Sequence, residues 1–328
     1  FDSATVQRLA DEYSQALREL IAHCTRDDVA GVTPSDFPLA RLTQDQLQRL
    51  PVPAADIQDV YPLSPMQEGL LLHTLREPGS GIYLMQYCYL IEHAIDLAAF
   101  ESAWRTVVER HEVLRTSFCW DVAEQMVQIV RRDPRPDIRL LDWQHVAESE
   151  YEGLLTEELA SELRQGFDLA NDVAFRLRLI KLGEARYGFV LSNHHILLDA
   201  WCRMGLIAEF FELYSALVEG RQASLPAPSS YRDFIAWLQS RDQDLSKRFW
   251  QTQLAGFERP TALPFDHARR DVGESSVGDC LVRLTREQSQ QLAQAAQASQ
   301  LTLNTVVQAA WAIPVSYTHL RAHETRGN

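Results

Sequence analysis

Apolar positions along this 328-residue chain fall into two alternating periods. Near the start, Val6, Leu9, Ala10, Tyr13, Ala16, Leu17, Leu20 and Ile21 recur at i, i+3 and i+4, which predicts a helix over 3–24. Gly31-Val32-Thr33-Pro34-Ser35-Asp36-Phe37-Pro38 interrupts regular structure, and a polar segment at 42–50 leads into Pro51-Val52-Pro53, an extended linker. Ser64-Pro65-Met66-Gln67 spells a helix start, with Ser64 as N-cap, Pro65 in the first helical position and Gln67 completing a capping box. Strand-like runs follow at 82–91, 125–130, 174–181 and 187–193. Between the first two, Leu97, Phe100, Ala103, Trp104, Val107 and Val108 mark an amphipathic helix. Ile207, Phe210, Phe211, Tyr214 and Leu217 mark another, ending near Gly220. Leu225-Pro226-Ala227-Pro228 reads as a link, after which a helical stretch at 231–254, a strand at 277–284 and a helix from Arg286 open a second lobe. Pro314 is expected to end that last helix. Helices and strands in this order favour an α/β or α+β sandwich.

The run that carries chemistry is Ser192-Asn193-His194-His195-Ile196-Leu197-Leu198-Asp199-Ala200-Trp201, directly after the apolar stretch 188–191. On a strand, neighbouring side chains point to opposite faces. Only one of the two histidines can therefore face a given cavity, which disfavours a two-histidine metal site and predicts one working imidazole. Histidine is the side chain most easily tuned to move protons near neutral pH, so an acyl- or proton-transfer site is expected.

Composition narrows the classes. The net charge is −14, with no basic stripe interleaved by aromatics, so nucleic acid and anionic membrane surfaces are poor partners. Cys24, Cys88, Cys119, Cys202 and Cys280 are scattered, odd in number and without a CxxC pair, the pattern of reduced thiols in a cytoplasmic protein. No apolar run approaches the roughly 18 residues needed to span a bilayer. Ser192 lies outside any GxSxG elbow, and no phosphate loop or Rossmann fingerprint is present. The chain opens at Phe1 without Met or a charged leader and reads as a piece of something longer. Its end, 315–328, lacks periodicity, and its wording resembles the translation of a transposase adapter used in sequencing libraries. It is set aside as an assembly scar, together with the i, i+4 pair His319 and His323.

Four blocks, taken together over 57–254, carry a resemblance. They are Ser64-Pro-Met-Gln67-Glu-Gly69-Leu, Arg110-His111-Glu112-Val113-Leu114-Arg115-Thr116-Ser117-Phe118, His194-His195-Ile-Leu-Leu-Asp199-Ala200-Trp201, and Tyr231-Arg-Asp233-Phe-Ile-Ala-Trp237. In this order they resemble the condensation domains of nonribosomal peptide synthetases, whose active-site block is written HHxxxDG. The helix ending Ala16-Leu17-Arg18-Glu19-Leu20-Ile21-Ala22-His23-Cys24, followed by Thr33-Pro-Ser-Asp-Phe37-Pro-Leu39, resembles the C-terminal edge of an epimerization domain. The resemblance implies an epimerization-like tail at 1–40, a linker at 41–56, a first lobe at 57–224 and the truncated start of a second at 225–314. The implied fold is two chloramphenicol-acetyltransferase-like lobes in a V, with a tunnel between them.

The activity so implied is amide formation between a carrier-bound donor, D-configured, and the α-amino group of a carrier-bound L-aminoacyl acceptor. No cofactor is expected on the domain itself, since the substrates ride on phosphopantetheine arms of upstream and downstream peptidyl carrier domains. Adjacent epimerization and adenylation domains are the other implied partners. His195 is the candidate working residue, a positioning group first and a base second. His194 is expected as its packed neighbour, supporting the loop. Asp199 reads either as a second catalytic acid or, the favoured reading, as a buried structural anion, for which the resemblance implies an arginine partner; Arg115, Arg176 and Arg178 are the candidates. Ala200 departs from the family's glycine, and a positive φ there would strain the loop. Trp201 and Trp237 are expected to pack. Arg110 and His111 are expected either to cap a helix and pair at the surface or to play a structural part near the tunnel. Two other readings remain open: epimerization, which shares the HHxxxD block, and an inert carrier-binding module.

Overall fold

Period-2 alternation in the middle of the chain becomes a four-stranded sheet in the computed structural model, which describes residues 2–25, 31–123, 125–132, 137–258 and 281–324. The chain divides into two compact units, Phe1–Arg241 and Asp242–Asn328. The first contains helices α1 (Ser3–Cys24), α2 (Gln44–Gln48), α3 (Pro65–Arg76), α4 (Leu97–Arg110), α5 (Tyr151–Gln165), α6 (Ala200–Glu219) and α7 (Tyr231–Gln239). Its strands are β1 (Ile57–Pro62), β2 (Leu84–Ile91), β3 (Thr116–Cys119), β4 (Val127–Arg131), β5 (Asp137–Asp142), β6 (Phe175–Gly183) and β7 (Arg186–His194). The second contains helices α8 (Gln243–Gln253), α9 (Arg286–Ala298) and α10 (Leu303–Glu324).

The larger sheet has the order β2-β7-β6-β5, antiparallel except for the parallel pair of β5 and β6. Alternation sorts its side chains. Phe175, Leu177 and Leu179 of β6 and Tyr187, Phe189 and Leu191 of β7 face a core shared with α4 and α6. At its centre the fully buried Trp104 stacks on Phe210, ring centroids 4.6 Å apart, and tilts against Phe175 and Phe189. The opposite face carries Arg176, Arg178 and Ser192 and is covered by α5, whose buried Glu162 accepts a hydrogen bond from Ser192 at 2.5 Å. A smaller antiparallel sheet, β1-β4-β3, buries Ile57, Val127 and Ile129 against Leu42, Leu47 and Leu50 around α2. The capping box that opens α3 is formed as spelled: Gln67 N–H donates to Ser64 Oγ and Ser64 N–H to Gln67 Oε1.

Several elements differ from expectation. β1, β3, β5 and α5 were not signalled. β1 has polar Gln58 and Asp59 in its middle, β3 is only four residues long, β5 is an edge strand, and the fully packed side chain of α5 is a glutamate. α7 packs with the first unit, because Ile235 is buried with Tyr61 of β1 and Val130 of β4. The expected strand at 277–284 falls partly outside the described residues; at 281–284 no strand forms, and Leu281, Val282 and Leu284 are exposed. α10 runs through Pro314 to Glu324, correcting the expected stop: proline removes one main-chain bond, and the helical turns on either side remain. Among the described residues no helix is long and apolar enough to cross a membrane.

The aromatic cluster is the mechanical centre of the first unit. Trp104→Ala is expected to lower its stability by about 3–5 kcal/mol in urea unfolding, and a loss below about 1 kcal/mol contradicts this placement.

Candidate active site

β7 lies between β2 and β6 and ends at His194, which pairs with Leu84 of β2. His194 is 3% exposed, so both ring nitrogens must find partners inside the protein. Nδ1 accepts the Ile196 N–H at 3.1 Å, which places the ring proton on Nε2. Nε2–H then donates to Thr74 Oγ1 at 3.0 Å, and the Thr74 hydroxyl donates onward to the Leu70 carbonyl at 2.9 Å. Burial pushes the His194 pKa down to about 4, with the neighbouring His195 adding to the effect. At neutral pH this imidazole is uncharged, its tautomer is fixed and neither nitrogen is free.

His195, the next residue, is in a different position. Its N–H donates to the Tyr83 carbonyl at 2.8 Å, while its partly buried ring makes no hydrogen bond with the described residues. The chain then turns inward. Leu197 N–H and Asn193 Nδ2 donate to the His194 carbonyl, and Ile196, Leu197 and Leu198 are buried. Gln67, the capping residue of α3, reaches the same turn and donates to the Ile196 carbonyl at 3.4 Å while exchanging bonds with Gln128. The turn thus holds one locked imidazole and one open one.

Asp199 corrects the expectation of a buried anion. It is exposed at the N-cap of α6, and its Oδ1 accepts the Cys202 N–H at 2.8 Å. That bond is the main cause holding its carboxyl below the usual range. None of the three candidate arginines pairs with it. Arg115 donates to Gln58 Oε1, the Arg131 carbonyl and the Val108 carbonyl, clamping β1 and β4 to the end of α4. Arg176 lies over the Phe167 ring at 4.2 Å and donates to the Gly166 carbonyl. Arg178, 2% exposed, pairs with Asp137 and Glu162, each at 3.0 Å, on the α5 face of the sheet. The reason is geometric: helix capping keeps Asp199 at the surface, while alternation along β6 aims both Arg176 and Arg178 at α5.

Ala200 is the first helical residue of α6 and is not among the positive-φ residues, so its methyl causes no backbone strain. Trp201 is 86% exposed and Trp237 51%, which corrects the expectation that they pack within this unit. Arg110 and His111 both bond Glu209 of α6, and Arg110 also donates to the Pro226 carbonyl at 2.7 Å. Burial works to raise the Glu209 pKa, but the bonds from His111 and Arg110 leave it below the usual range. Sequence reasoning missed Thr74, Tyr83, Glu162 and Arg203, which donates to Tyr89 Oη at 2.6 Å above the Tyr87 ring. Two cavities lie near the turn, one of about 310 Å³ touching His194, Thr74 and Trp120, the other of about 340 Å³ touching Leu198, Glu209 and Tyr231. Among the described residues no cluster of three His, Cys, Asp or Glu could hold a metal.

With this geometry in place, comparison with known proteins is decisive. The sequence model of the condensation domain matches residues 57–319. The chain belongs to the condensation domain family. This condensation domain is 38% identical over 314 residues to a component protein of the linear gramicidin synthase of Brevibacillus parabrevis, covering 95% of the chain and 6% of that protein. It is 29% identical over 322 residues to bacitracin synthase 3 of Bacillus licheniformis, covering 98% of the chain and 5% of that protein. The chain therefore spans only a small part of these synthases. Among solved structures, the X-domain complexed with OxyB from teicoplanin biosynthesis matches with a TM-score of 0.65 at 26% identity, over 78% of this chain and 56% of that one. The starter condensation domain of rhizomide synthetase RzmA matches in fold, with a TM-score of 0.56 at 24% identity, over 62% and 49% of the two chains.

The buried neutral His194 has a thermodynamic consequence. Its folded pKa lies below the unfolded value of 6.5, so the folded state resists a proton that the unfolded chain accepts. Its contribution to stability is complete above pH 6.5 and is lost as pH falls towards about 4. His194→Asn keeps an acceptor for Ile196 N–H and removes the titration. The stability difference between pH 7 and pH 5 is expected to shrink by about 2 kcal/mol in the variant; an unchanged difference in paired urea titrations contradicts the neutral assignment.

Proposed function

We propose that this condensation domain joins two carrier-bound aminoacyl groups by an amide bond, with His195 as the residue that meets the acceptor amine. The observation that carries this reading is the partly buried imidazole of His195, without a hydrogen bond to the described residues, beside a locked, neutral His194. The acceptor's α-amine attacks the donor thioester carbonyl. A C–N bond forms, the C–S bond breaks, and the amine's proton leaves by way of His195 to the departing thiolate. An α-amino group has a pKa of roughly 8, so on the order of a tenth is already neutral at pH 7. General-base help contributes about 10²–10⁴-fold, whereas orientation reaches effective molarities of about 10⁵–10⁸ M. His195 is accordingly a positioning group before it is a base. His194 serves by closing the turn, and Asp199 by starting α6 at the right place.

The finer reading rests on the resemblance of particular segments. Residues 1–40 and the wording Tyr61-Pro-Leu-Ser-Pro-Met-Gln-Glu-Gly69 support a domain that follows an epimerization domain, hence a D-configured donor and an L-configured acceptor. Both would arrive on phosphopantetheine arms of upstream and downstream carrier domains, with an adenylation domain alongside. Two chloramphenicol-acetyltransferase-like lobes are the architecture this reading requires; the compact unit that holds the histidines extends past the expected division near 225, to Arg241.

The test supplies the completed parent module that carries this domain with donor- and acceptor-loaded carrier domains and follows dipeptidyl thioester. His195→Ala is expected to lower coupling by about 10²-fold or more; undiminished coupling overturns the role of His195. Exchange of the α-proton without coupling identifies an epimerase instead, and carrier binding with neither identifies an inert module. Because Ala200 carries no strain, Ala200→Gly is expected to raise the coupling rate by no more than about twofold and to weaken α6 by at most about 1 kcal/mol. A large gain in rate would show that the methyl obstructs the substrate.

A further inference from the structure

We propose that Tyr83 is a positioning residue of the His195 turn, acting through its left-handed backbone and the carbonyl that backbone aims. The proposal rests on the reading of His195 as the working imidazole.

The segment that joins α3 to β2 takes left-handed backbone three times at alternate positions: Gly79 at φ 76°, Gly81 at φ 68° and Tyr83 at φ 62°. The first two are glycines, which enter this region without penalty. Gly81 also faces α5 so closely that a Cβ there would collide with the Leu163 side chain. The third position is a bulky tyrosine, for which such a φ is an outlier. Backbone strain of this kind persists only where its surroundings over-determine it.

At Tyr83 they do, through three separate contacts. Its carbonyl accepts the His195 N–H at 2.8 Å. Its hydroxyl and His73 Nδ1 are hydrogen-bonded at 2.8 Å, with the two rings nearly parallel at 12°. Its ring meets His194 edge-on, centroids 6.1 Å apart at 66°. The next residue, Leu84, pairs with His194, so Tyr83 is where β2 last touches β7. His73 lies in the last turn of α3, which ties this contact to the helix that also supplies Thr74.

The consequence falls on His195. Its ring makes no hydrogen bond with the described residues, so the direction in which it emerges is set by its main chain. On the β2 side that main chain is fixed by the bond to the Tyr83 carbonyl. Returning residue 83 to the right-handed or extended region turns the carbonyl away and releases the start of the turn. His194 keeps both ring-nitrogen partners, Thr74 and Ile196, so the main effect falls on the open imidazole.

Two substitutions separate the backbone from the ring. Tyr83→Val and Tyr83→Asn both delete the ring and its His73 bond, but asparagine tolerates left-handed backbone and β-branched valine opposes it. In Tyr83→Val, hydrogen exchange at the His195 amide is expected to speed up about tenfold, the population equivalent of left-handed strain at one residue. Coupling kcat, normalised to the folded fraction of each sample, is expected to fall about tenfold with the acceptor KM within about twofold; the normalisation removes the fall in apparent kcat that general loss of stability would produce. Tyr83→Asn is expected to recover the amide protection and at least about a third of kcat. Should the valine chain not fold, Tyr83→Thr, also β-branched and with a polar group in place of one methyl, takes its place. Equal behaviour of valine and asparagine, or an unchanged His195 amide in the valine chain, overturns the proposal. Coupling is followed in the completed parent module; if no such module couples, the original included, the condensation reading fails, and the amide exchange alone still decides whether Tyr83 holds the turn.

Discussion

A strand bonded along both edges cannot slide, and β7 is such a strand, held in register by β2 on one side and β6 on the other. Its last residue, His194, brings an imidazole into a place where water does not reach. A buried polar atom left unpaired costs about 1–3 kcal/mol, so the ring is stable there only with both nitrogens satisfied. Ile196 N–H and Thr74 Oγ1 satisfy them, and each has a structural effect. The first bends the chain back immediately after the strand. The second ties the bend to α3. The open position of His195, the burial of residues 196–198 and the start of α6 at Asp199 all follow from that one ring.

The two faces of the larger sheet divide the remaining work. One is aromatic and apolar, with Trp104, Phe175, Phe189 and Phe210 in mutual contact. The other is polar, with Arg178 between Asp137 and Glu162, and Ser192 bonded to the same glutamate two residues before His194. Buried pairs of this kind add little net stability, yet they are costly to break singly. Their effect here is to hold β5, β6, β7 and α5 in one arrangement from below, while the aromatic face anchors α4 and α6 from above.

Much of this was legible where local chemistry decides. Ser64 and Gln67 announced the start of α3, and the spacing of Phe100, Trp104 and Val107 gave α4 its buried face. Alternation predicts two unlike environments for the histidines; what separates them in the structure is the end of β7 at His194, with His195 already in the turn. What escaped depends on partners distant in sequence: β5 forms against β6, and β1 against β4, some seventy residues further on at Ile57 and Arg131. Asp199 shows a different failure. Its place beside the histidines drew attention to a buried charge, whereas an aspartate directly before an apolar helix is also an N-cap, the same signal that Ser64 gave. The arginines of β6 likewise had a readable counterpart in Glu158 and Glu162, spaced by one helical turn on α5.

The central claim is that the two adjacent histidines differ in kind, one locked and neutral and the other free. Nitrogen NMR of the chain labelled at histidine tests it directly. The account predicts that His194 stays in the neutral Nε2–H form at pH 6, since burial holds its pKa near 4. A His194 ring that is charged at pH 6, or that carries its proton on Nδ1, would contradict it.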